Sequence, residues 1–274
     1  MIIDKVLFYH NWFVGSDYQA RLELVELDVC NETSVNRARD AVKTKHGSLY
    51  GLINNAGGTF PKAKDTIDLN TYAPIRVTEA FLPLLQEGGR VVQVSSASGP
   101  NFVSRCSEDV QRMFVNPGVT FQEAEEKVIV PYLAIQDGDM SEEEKVAALE
   151  KIGLDVNAGT GLGAGYGVSK ACLNAYTMEC ARKHPSLLIN SCTPGFIETD
   201  LTRGYAERAG KTPQDMGMKP IDEGARSAVY LMMADLRADI PGYESGRYYG
   251  SDAVRSPLHK YRSPGDPPYS GEYP

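Results

Sequence analysis

The feature that most constrains the fold is a repeated alternation between short apolar segments and longer amphipathic ones. Strand patterns occur at residues 22–29, 50–58, 90–99, 187–195 and 245–252. Helix patterns separate most of them, at residues 33–46, 68–86, 166–184 and 222–236. Because consecutive parallel strands need helical crossovers, this order predicts an α/β fold with a doubly wound parallel sheet in three α/β/α layers.

The chain of 274 residues is long enough for one large domain. We predict that residues 1–255 form it, with a helical insertion at about residues 100–160. Residues 196–220 are typical of a mobile lid, and residues 256–274 predict a Pro/Gly/Tyr-rich tail that is irregular or wraps the surface. We expect Thr33 or Ser34 to cap the helix at 33–46 and Gly47 to close it.

The insertion and the N-terminal segment carry weaker patterns. Acidic runs from Gln122 to Val128 and from Ser141 to Gly153 predict solvated helices. The apolar segment at residues 2–9 predicts one strand.

Charge and cysteine content exclude several classes of function. A net charge of −8 argues against a nucleic-acid or anionic-membrane partner. The five cysteines form no CxxC pair and do not cluster with the four histidines, so we expect buried free thiols and no metal site. No apolar run reaches membrane length, and we expect a cytoplasmic protein.

Tyr166 and Lys170 form the most informative pair. They are four residues apart at the start of a predicted helix, which places both side chains on one face. A nearby ammonium can stabilise a tyrosinate, so the phenol could give up and regain a proton near neutral pH. Alone, such a pair is more often a simple helix-surface contact.

The segment Gly159–Ala164 fits the G-x-G-x-x-G/A dinucleotide fingerprint. That fingerprint works only between a strand and a helix, whereas here an acidic helical stretch precedes it. We interpret it as a flexible approach to Tyr166.

Six motifs occur in an order that resembles the short-chain dehydrogenase/reductase family, over roughly residues 20–250. They are LDV ending at Val29, NNAG at 54–57, Asn70, VSSASG at 94–99, YGVSK at 166–170 and PGFIETD at 194–200. The last two most resemble the carbonyl-reductase subgroup. The resemblance implies a Rossmann-like fold and NADPH-dependent reduction of an aldehyde, ketone or quinone.

The resemblance also implies catalytic roles. Tyr166 would be the general acid, Lys170 would lower its pKa and hold the nicotinamide ribose, and Ser96 would steady the substrate oxygen. Asn70 would hold a water that links Lys170 to solvent, or be no more than a helix-kink amide. Ser95 would face the sheet without a catalytic role.

A second set would bind the cofactor, NADP(H) in preference to NAD(H). Asp28, with Val29, would contact the adenine, and Asn55, Ala56 and Gly57 would form the turn beside the adenosine ribose, or simply end a strand. Pro194 and Gly195 would shape the loop under the nicotinamide. Ile197, through its backbone, and Thr199 would bind the carboxamide, while Asp200 could cap the lid helix.

Two features depart from the family pattern. No Gly-rich phosphate loop precedes LDV, where Gly15 is the only glycine, so we expect a βαβ unit that is incomplete at the N-terminus. Ser96 and Tyr166 are 70 residues apart, and the implied helical insertion predicts a monomer. A cofactor-poor binding protein and an NAD-dependent secondary-alcohol dehydrogenase remain alternatives, and Phe196, Tyr205, Met216 and Met218 suggest an apolar substrate.

Overall fold

The computed structural model contains a mostly parallel central sheet flanked by helices on both faces. It describes residues 4–9, 22–157, 165–239, 244–269 and 271. Five of the described strands form this sheet in the order β3-β4-β5-β6-β7, and only the last pairing is antiparallel. The predicted α/β class and its Rossmann-like parallel sheet are confirmed.

The strands have the following bounds: β1 Asp4–Tyr9, β2 Leu22–Leu27, β3 Leu49–Asn54, β4 Leu85–Val94, β5 Leu188–Cys192, β6 Tyr248–Tyr249 and β7 Arg255–Ser256. The helices before the insertion and within it are α1 Glu32–His46, α2 Ala63–Ile67, α3 Ala73–Phe81, α4 Ser98–Val103, α5 Glu108–Val115, α6 Phe121–Ala124, α7 Val130–Asp137 and α8 Glu142–Lys151. The later helices are α9 Tyr166–Lys183, α10 Asp200–Ala209, α11 Ile221–Gly224, α12 Arg226–Met233 and α13 Leu236–Asp239.

Adjacent residues of β4 divide the core between the two faces of the sheet. Val91 packs with Leu52 and Ile189 under α1, α3 and α9. Val92, one position later, packs with Leu231 of α12 on the opposite face. Because side chains alternate along a strand, an uninterrupted apolar run buries both faces, as a parallel sheet between two helical layers requires.

The strand predicted at 22–29 differs from expectation in its extent and its partner. β2 ends at Leu27 and pairs antiparallel with β1, from Asp4 opposite Leu27 to Tyr9 opposite Leu22, rather than joining the central sheet. Antiparallel neighbours need only a short connection, whereas a parallel partner needs a crossover. The strand predicted at residues 2–9 is confirmed at β1.

Two predicted helix boundaries were wrong. Asn31, not Thr33 or Ser34, caps α1 by accepting a hydrogen bond from the Ser34 N–H, while the Ser34 hydroxyl instead accepts from the Asp28 N–H. Gly47, at φ 74°, closes the helix as predicted. The helix predicted at 68–86 begins earlier and ends earlier, because β4 already starts at Leu85.

A π-helical turn, Asp68–Tyr72, interrupts the helical stretch between α2 and α3. Proline has no N–H, so Pro74 cannot make the α-helical bond to the carbonyl of Asn70. The bond from Ala73 to Asp68 instead spans five residues. Because of Pro74, the Asn70 carbonyl lacks the donor that an α-helix would ordinarily supply to it.

The predicted insertion is helical and packs against α9. The Phe121 N–H donates to the Glu179 carboxylate over 2.6 Å, and the Phe121 ring meets Tyr176 edge-on at 6.2 Å between ring centroids. A second π-helical turn, Glu125–Ile129, continues α6 into α7, and a capping box at Ser141 begins α8. Of the five free cysteines, four are buried as expected, but Cys30 is exposed.

The segments after β5 are more ordered than the sequence indicated. The predicted lid contains α10, whose N-cap is Thr199 and not Asp200. The single helix predicted at 222–236 is divided at Ala225 into α11 and α12. The predicted tail is largely irregular, yet Ser256 belongs to β7 and the Leu258 side chain is buried.

Two glycines allow α4 to lie directly against α9. A Cβ on Gly99 would stand 3.0 Å from the backbone carbon of Lys170. A Cβ on Gly167 would stand 2.9 Å from the Phe102 Cβ and 3.1 Å from the Ser98 carbonyl oxygen. This close approach holds the end of β4 beside the first turns of α9.

We expect Gly167→Ala to lower the free energy of unfolding by about 1–3 kcal/mol, because the added methyl group meets backbone and Cβ atoms that cannot rotate away. Urea titration followed by circular dichroism measures this change. Gly204→Ala in α10 is the matched control, because its Cβ meets only the flexible end of Arg208, at 3.3 Å. The control should be neutral or up to about 1 kcal/mol more stable; equal effects of the two substitutions would contradict the close-approach account.

Candidate active site

Tyr166 and Lys170 lie on one face of the first turns of α9, as predicted. Both are buried, at 8% and 3% exposure, and the Lys170 ammonium lies 5.8 Å from the centroid of the Tyr166 ring. Gly165 precedes the helix at φ 79°, a left-handed conformation that favours glycine. The backbone thus turns sharply at Gly165, and Tyr166 is the first residue of α9.

Lys170 is held by the end of the neighbouring strand. Its Nζ donates a hydrogen bond over 2.9 Å to the carbonyl of Val94, the last residue of β4. Burial lowers the pKa of Lys170 to about 8, because a low-dielectric environment penalises the charged form. The side chain is therefore a buried cation with one fixed acceptor.

The environment of Tyr166 differs from the expectation that Lys170 lowers its pKa. Burial raises the pKa of Tyr166, a hydrogen bond with Ser96 opposes this rise, and nearby Tyr205 of α10 adds to it. The ammonium is bonded to the Val94 carbonyl and lies over the ring rather than at the hydroxyl. In the absence of ligand, this site keeps the phenol protonated.

Ser95 and Ser96 divide their roles at the end of β4. Ser96 is half-buried, accepts a bond from the Ser98 N–H over 3.2 Å and reaches Tyr166. Ser95 is buried, and its hydroxyl donates to the Lys170 carbonyl over 3.2 Å. One serine thus fixes the backbone of α9, and the other meets the tyrosine.

Asn70 lies fully buried where the π-helical turn meets the loop after β3. Its side-chain amide donates to the Gly58 carbonyl over 2.8 Å and accepts from the Gly58 N–H over 3.1 Å. A Cβ on Gly57 would lie 3.0 Å from the Asn70 Oδ1 and 3.4 Å from the Lys170 Nζ. Gly57, Asn70 and Lys170 therefore meet at one point, which a side chain at position 57 would fill.

A buried polar network beneath this loop was not anticipated from the sequence. The Asn54 amide donates to the Thr78 hydroxyl over 2.8 Å and to the Gln93 side chain over 3.0 Å, and Gln93 donates to the same hydroxyl. The only available signal was the polar residue Gln93 within an apolar strand pattern. The network ties β3, β4 and α3 together below the turn that starts at Asn55.

The residues assigned to the adenosine half of a dinucleotide lie at strand ends. The Asp28 carboxylate accepts from the Cys30 N–H over 3.0 Å, and the carbonyl of buried Val29 accepts from Arg76 over 2.8 Å. Asn55 and Gly57 are exposed and Ala56 is half-buried, directly after β3. Ligands of open α/β sheets bind outside the carboxyl ends of strands, as the placement of residues 55–57 after β3 allows, whereas Asp28 and Val29 follow β2, which lies outside the central sheet.

The residues assigned to the nicotinamide follow β5. Pro194 is half-buried, and Gly195, at φ 91°, approaches Ser251 so closely that a Cβ would lie 3.0 Å from the Ser251 Cβ. The Ile197 carbonyl accepts a hydrogen bond from the Thr202 hydroxyl, and Thr199 caps α10. Ser251 was not among the predicted site residues, because it has no motif of its own.

Three further expectations concern the fingerprint-like segment, membrane-spanning helices and metal sites. The fingerprint-like segment Gly159–Ala164 lies outside the described residues. Within the described part of the chain, no helix combines the length and apolarity that crossing a membrane requires. Over the same residues, no three His, Cys, Asp or Glu side chains form a group that could hold a metal ion.

Comparison with known proteins identifies relatives of this chain. Residues 14–107 match the family described as short chain dehydrogenase. Carbonyl reductase (NADPH) 3 of Rattus norvegicus is 30% identical over 223 residues, which cover 76% of this chain and 71% of the relative.

Two solved structures share the fold. Salutaridine reductase from Papaver somniferum has a TM-score of 0.61 at 24% identity, covering 81% of this chain and 80% of that one. An NADPH-bound carbonyl reductase from chicken fatty liver has a TM-score of 0.55 at 20% identity, covering 89% and 78%. With the Ser-Tyr-Lys-Asn arrangement described above, these matches show that the chain belongs to the short-chain dehydrogenase/reductase family, where it is carbonyl-reductase-like.

Proposed function

We propose that this protein reduces a small-molecule carbonyl compound with NADPH, using Tyr166 as the proton donor. The observation that carries the proposal is the convergence of Ser96, Tyr166, Lys170 and Asn70 between β4, α9 and the π-helical turn. The preference for NADP(H) is supported by the name of the rat relative, a carbonyl reductase that uses NADPH.

The residues present fit the nicotinamide half of the cofactor. Gly57 leaves open the point where Asn70 and Lys170 meet, which a Cβ would close. Lys170 and Tyr166 would hold the nicotinamide ribose, and Pro194, Gly195, Ile197 and Thr199 would hold the nicotinamide and its carboxamide. When bound, the nicotinamide supplies the hydride that the carbonyl carbon accepts.

The chain's own residues then supply the proton that the carbonyl oxygen accepts. Tyr166 donates to the carbonyl oxygen as negative charge develops there, and Ser96 stabilises the same oxygen with a hydrogen bond. The Lys170 cation, 5.8 Å from the tyrosine ring centroid, offsets the charge left on the phenolate. Lys170 would then give a proton to the phenolate, and the Asn70 backbone carbonyl, which Pro74 cannot bond, would hold the water that returns one to Lys170.

The protonation state of Tyr166 suits the role of proton donor in a reduction. The raised pKa of Tyr166 keeps its proton in place at neutral pH, as a general acid needs. An NAD-dependent alcohol dehydrogenase would need the same residue as a base. A non-catalytic binding protein would need none of the four convergent side chains.

We expect Tyr166→Phe to lower kcat for carbonyl reduction by about 10²–10⁴-fold, because the proton donor is lost. The measurement combines NADPH oxidation with a panel of aldehydes, ketones and quinones and a fluorescence titration of NADPH binding. NADPH binding should weaken only modestly, because one hydrogen bond to the ribose, worth about 1 kcal/mol, is lost while the other cofactor contacts remain.

Tyr230→Phe, in α12, is the matched control and should keep full activity. A wild type that neither binds NADPH nor turns over any carbonyl would identify the cofactor-poor, non-catalytic alternative. Faster turnover of secondary alcohols with NAD⁺ would identify the dehydrogenase.

Lys170→Met should abolish activity yet stabilise the fold. The pKa of Lys170 is about 8 in the folded protein against an ordinary 10.5. The buried cation therefore costs stability below pH 8, and this cost disappears as the pH rises towards 10.5. After subtracting a lost hydrogen bond of about 1 kcal/mol, we expect a gain of about 2 kcal/mol at pH 7.

Urea unfolding at pH 7 and pH 9.5 tests this expectation, because the advantage of Lys170→Met should shrink at the higher pH. The control is Lys183→Met on the same helix, whose ammonium is exposed and paired with Glu179 at 2.7 Å. A stability difference that is independent of pH would refute the assignment of a buried cation.

We further propose that the protein is a cytoplasmic monomer. The support for a monomer is the insertion, whose Phe121 covers α9 at Tyr176 and Glu179. Light scattering should give the mass of one chain at micromolar concentration. The mass of a dimer would contradict this proposal and leave the catalytic one intact.

A further inference from the structure

Beyond β7, the chain forms a buried clamp on the β6–β7 turn. Arg262 is only 7% exposed, and its guanidinium contacts the Asp252 carboxylate in that turn. The same guanidinium donates to the carbonyls of Ser263, over 3.0 Å, and Asp266, over 2.6 Å. A charged group this deeply buried needs such partners, and three acceptors bind its two terminal nitrogens, whereas the buried Arg262 Nε has no hydrogen-bond partner among the described residues.

Asp252 is the central acceptor of the clamp. Besides Arg262, its carboxylate accepts from the Val254 N–H over 3.3 Å and from the Gly265 N–H over 3.4 Å. Although partial burial opposes the change, these bonds lower the pKa of Asp252. One carboxylate thus joins the β6–β7 turn to the C-terminal segment.

The turn also supports the loop assigned to the nicotinamide. Ser251, immediately before Asp252, is buried, and the Gly195 backbone lies directly against its side chain. The Thr193 N–H donates to the Tyr249 carbonyl over 3.0 Å. Residues 193–195 are therefore held by the segment that Arg262 clamps.

We propose that Arg262 and Asp252 are positioning residues for the cofactor, acting through Ser251 on the Pro194–Gly195 loop. This inference rests on the proposed function, since it needs a nicotinamide on that loop. Neither residue touches the reacting atoms. The C-terminal segment, which the sequence indicated to be a surface tail, becomes part of the active-site framework.

The first test measures the loop without any cofactor. In Arg262→Gln, amide hydrogen exchange should accelerate in peptides covering residues 193–199 and 248–256. The matched control is Arg105→Gln, which breaks an Arg–Asp pair with the buried Asp155 carboxylate, 2.6 Å long, in the insertion. The control is expected to lose stability, because it leaves the buried Asp155 carboxylate without its partner. Exchange in those two peptides should nevertheless stay at the wild-type rate once both variants are shown to be folded by circular dichroism.

The second test measures cofactor use. Arg262→Gln should raise KM for NADPH and lower kcat, with kcat/KM falling by about 10–100-fold, because a displaced nicotinamide is poorly aligned. KM for the carbonyl substrate should change little. Arg262→Lys keeps the charge beside Asp252 but cannot hold both carbonyls, so it should restore part of the loss; it also serves if Arg262→Gln does not fold.

The two tests separate the two proposals. If the wild type neither binds NADPH nor turns over, the proposed function fails, while hydrogen exchange still decides whether the clamp controls the loop. Wild-type exchange at residues 193–199 in folded Arg262→Gln or Arg262→Lys would overturn the clamp. Unchanged KM and kcat for NADPH in these variants would overturn its positioning role.

Discussion

The hydrogen bond from the Lys170 ammonium to the Val94 carbonyl is the constraint on which the site depends. A buried cation is tolerated only with a fixed acceptor, and the end of β4 provides one at 2.9 Å. This bond joins α9 to the end of β4, beside which the close packing at Gly99 and Gly167 places the helix. The position of α9 in turn brings Tyr166 to Ser96 and Lys170 to the loop after β3. Loss of the proton would weaken both the bond and the catalytic pair.

Much of the framework could be predicted because each part has a local signal. The apolar runs of β4 and β5 indicate strands buried on both faces, and the spacing of Tyr166 and Lys170 indicates one helix face. Gly47 closes α1 as its left-handed conformation requires. The motif order indicated four candidate catalytic side chains that the fold then brings together across distant parts of the chain.

The remainder could not be predicted because it depends on contacts between distant segments. Hydrophobic periodicity indicates that β2 is a strand, but it does not indicate which other strand pairs with it. The hydrogen bond from Ser95 to the Lys170 carbonyl depends on where α9 packs against the end of β4. The Asn54–Thr78–Gln93 network joins side chains from three separate elements. The π-helical turn at Asn70 had a readable cause in Pro74, but a kinked α-helix would explain the same sequence.

The placement of the insertion has a consequence for how the chain folds. Ser96 and Tyr166 are 70 residues apart, and α4 and α6, which lie between them, pack on α9. Contacts of such long sequence separation form slowly, because closing the intervening loop costs entropy before any contact offsets it. Secondary structure can therefore form well before catalytic geometry. Competence for chemistry is among the last properties that the folding chain acquires.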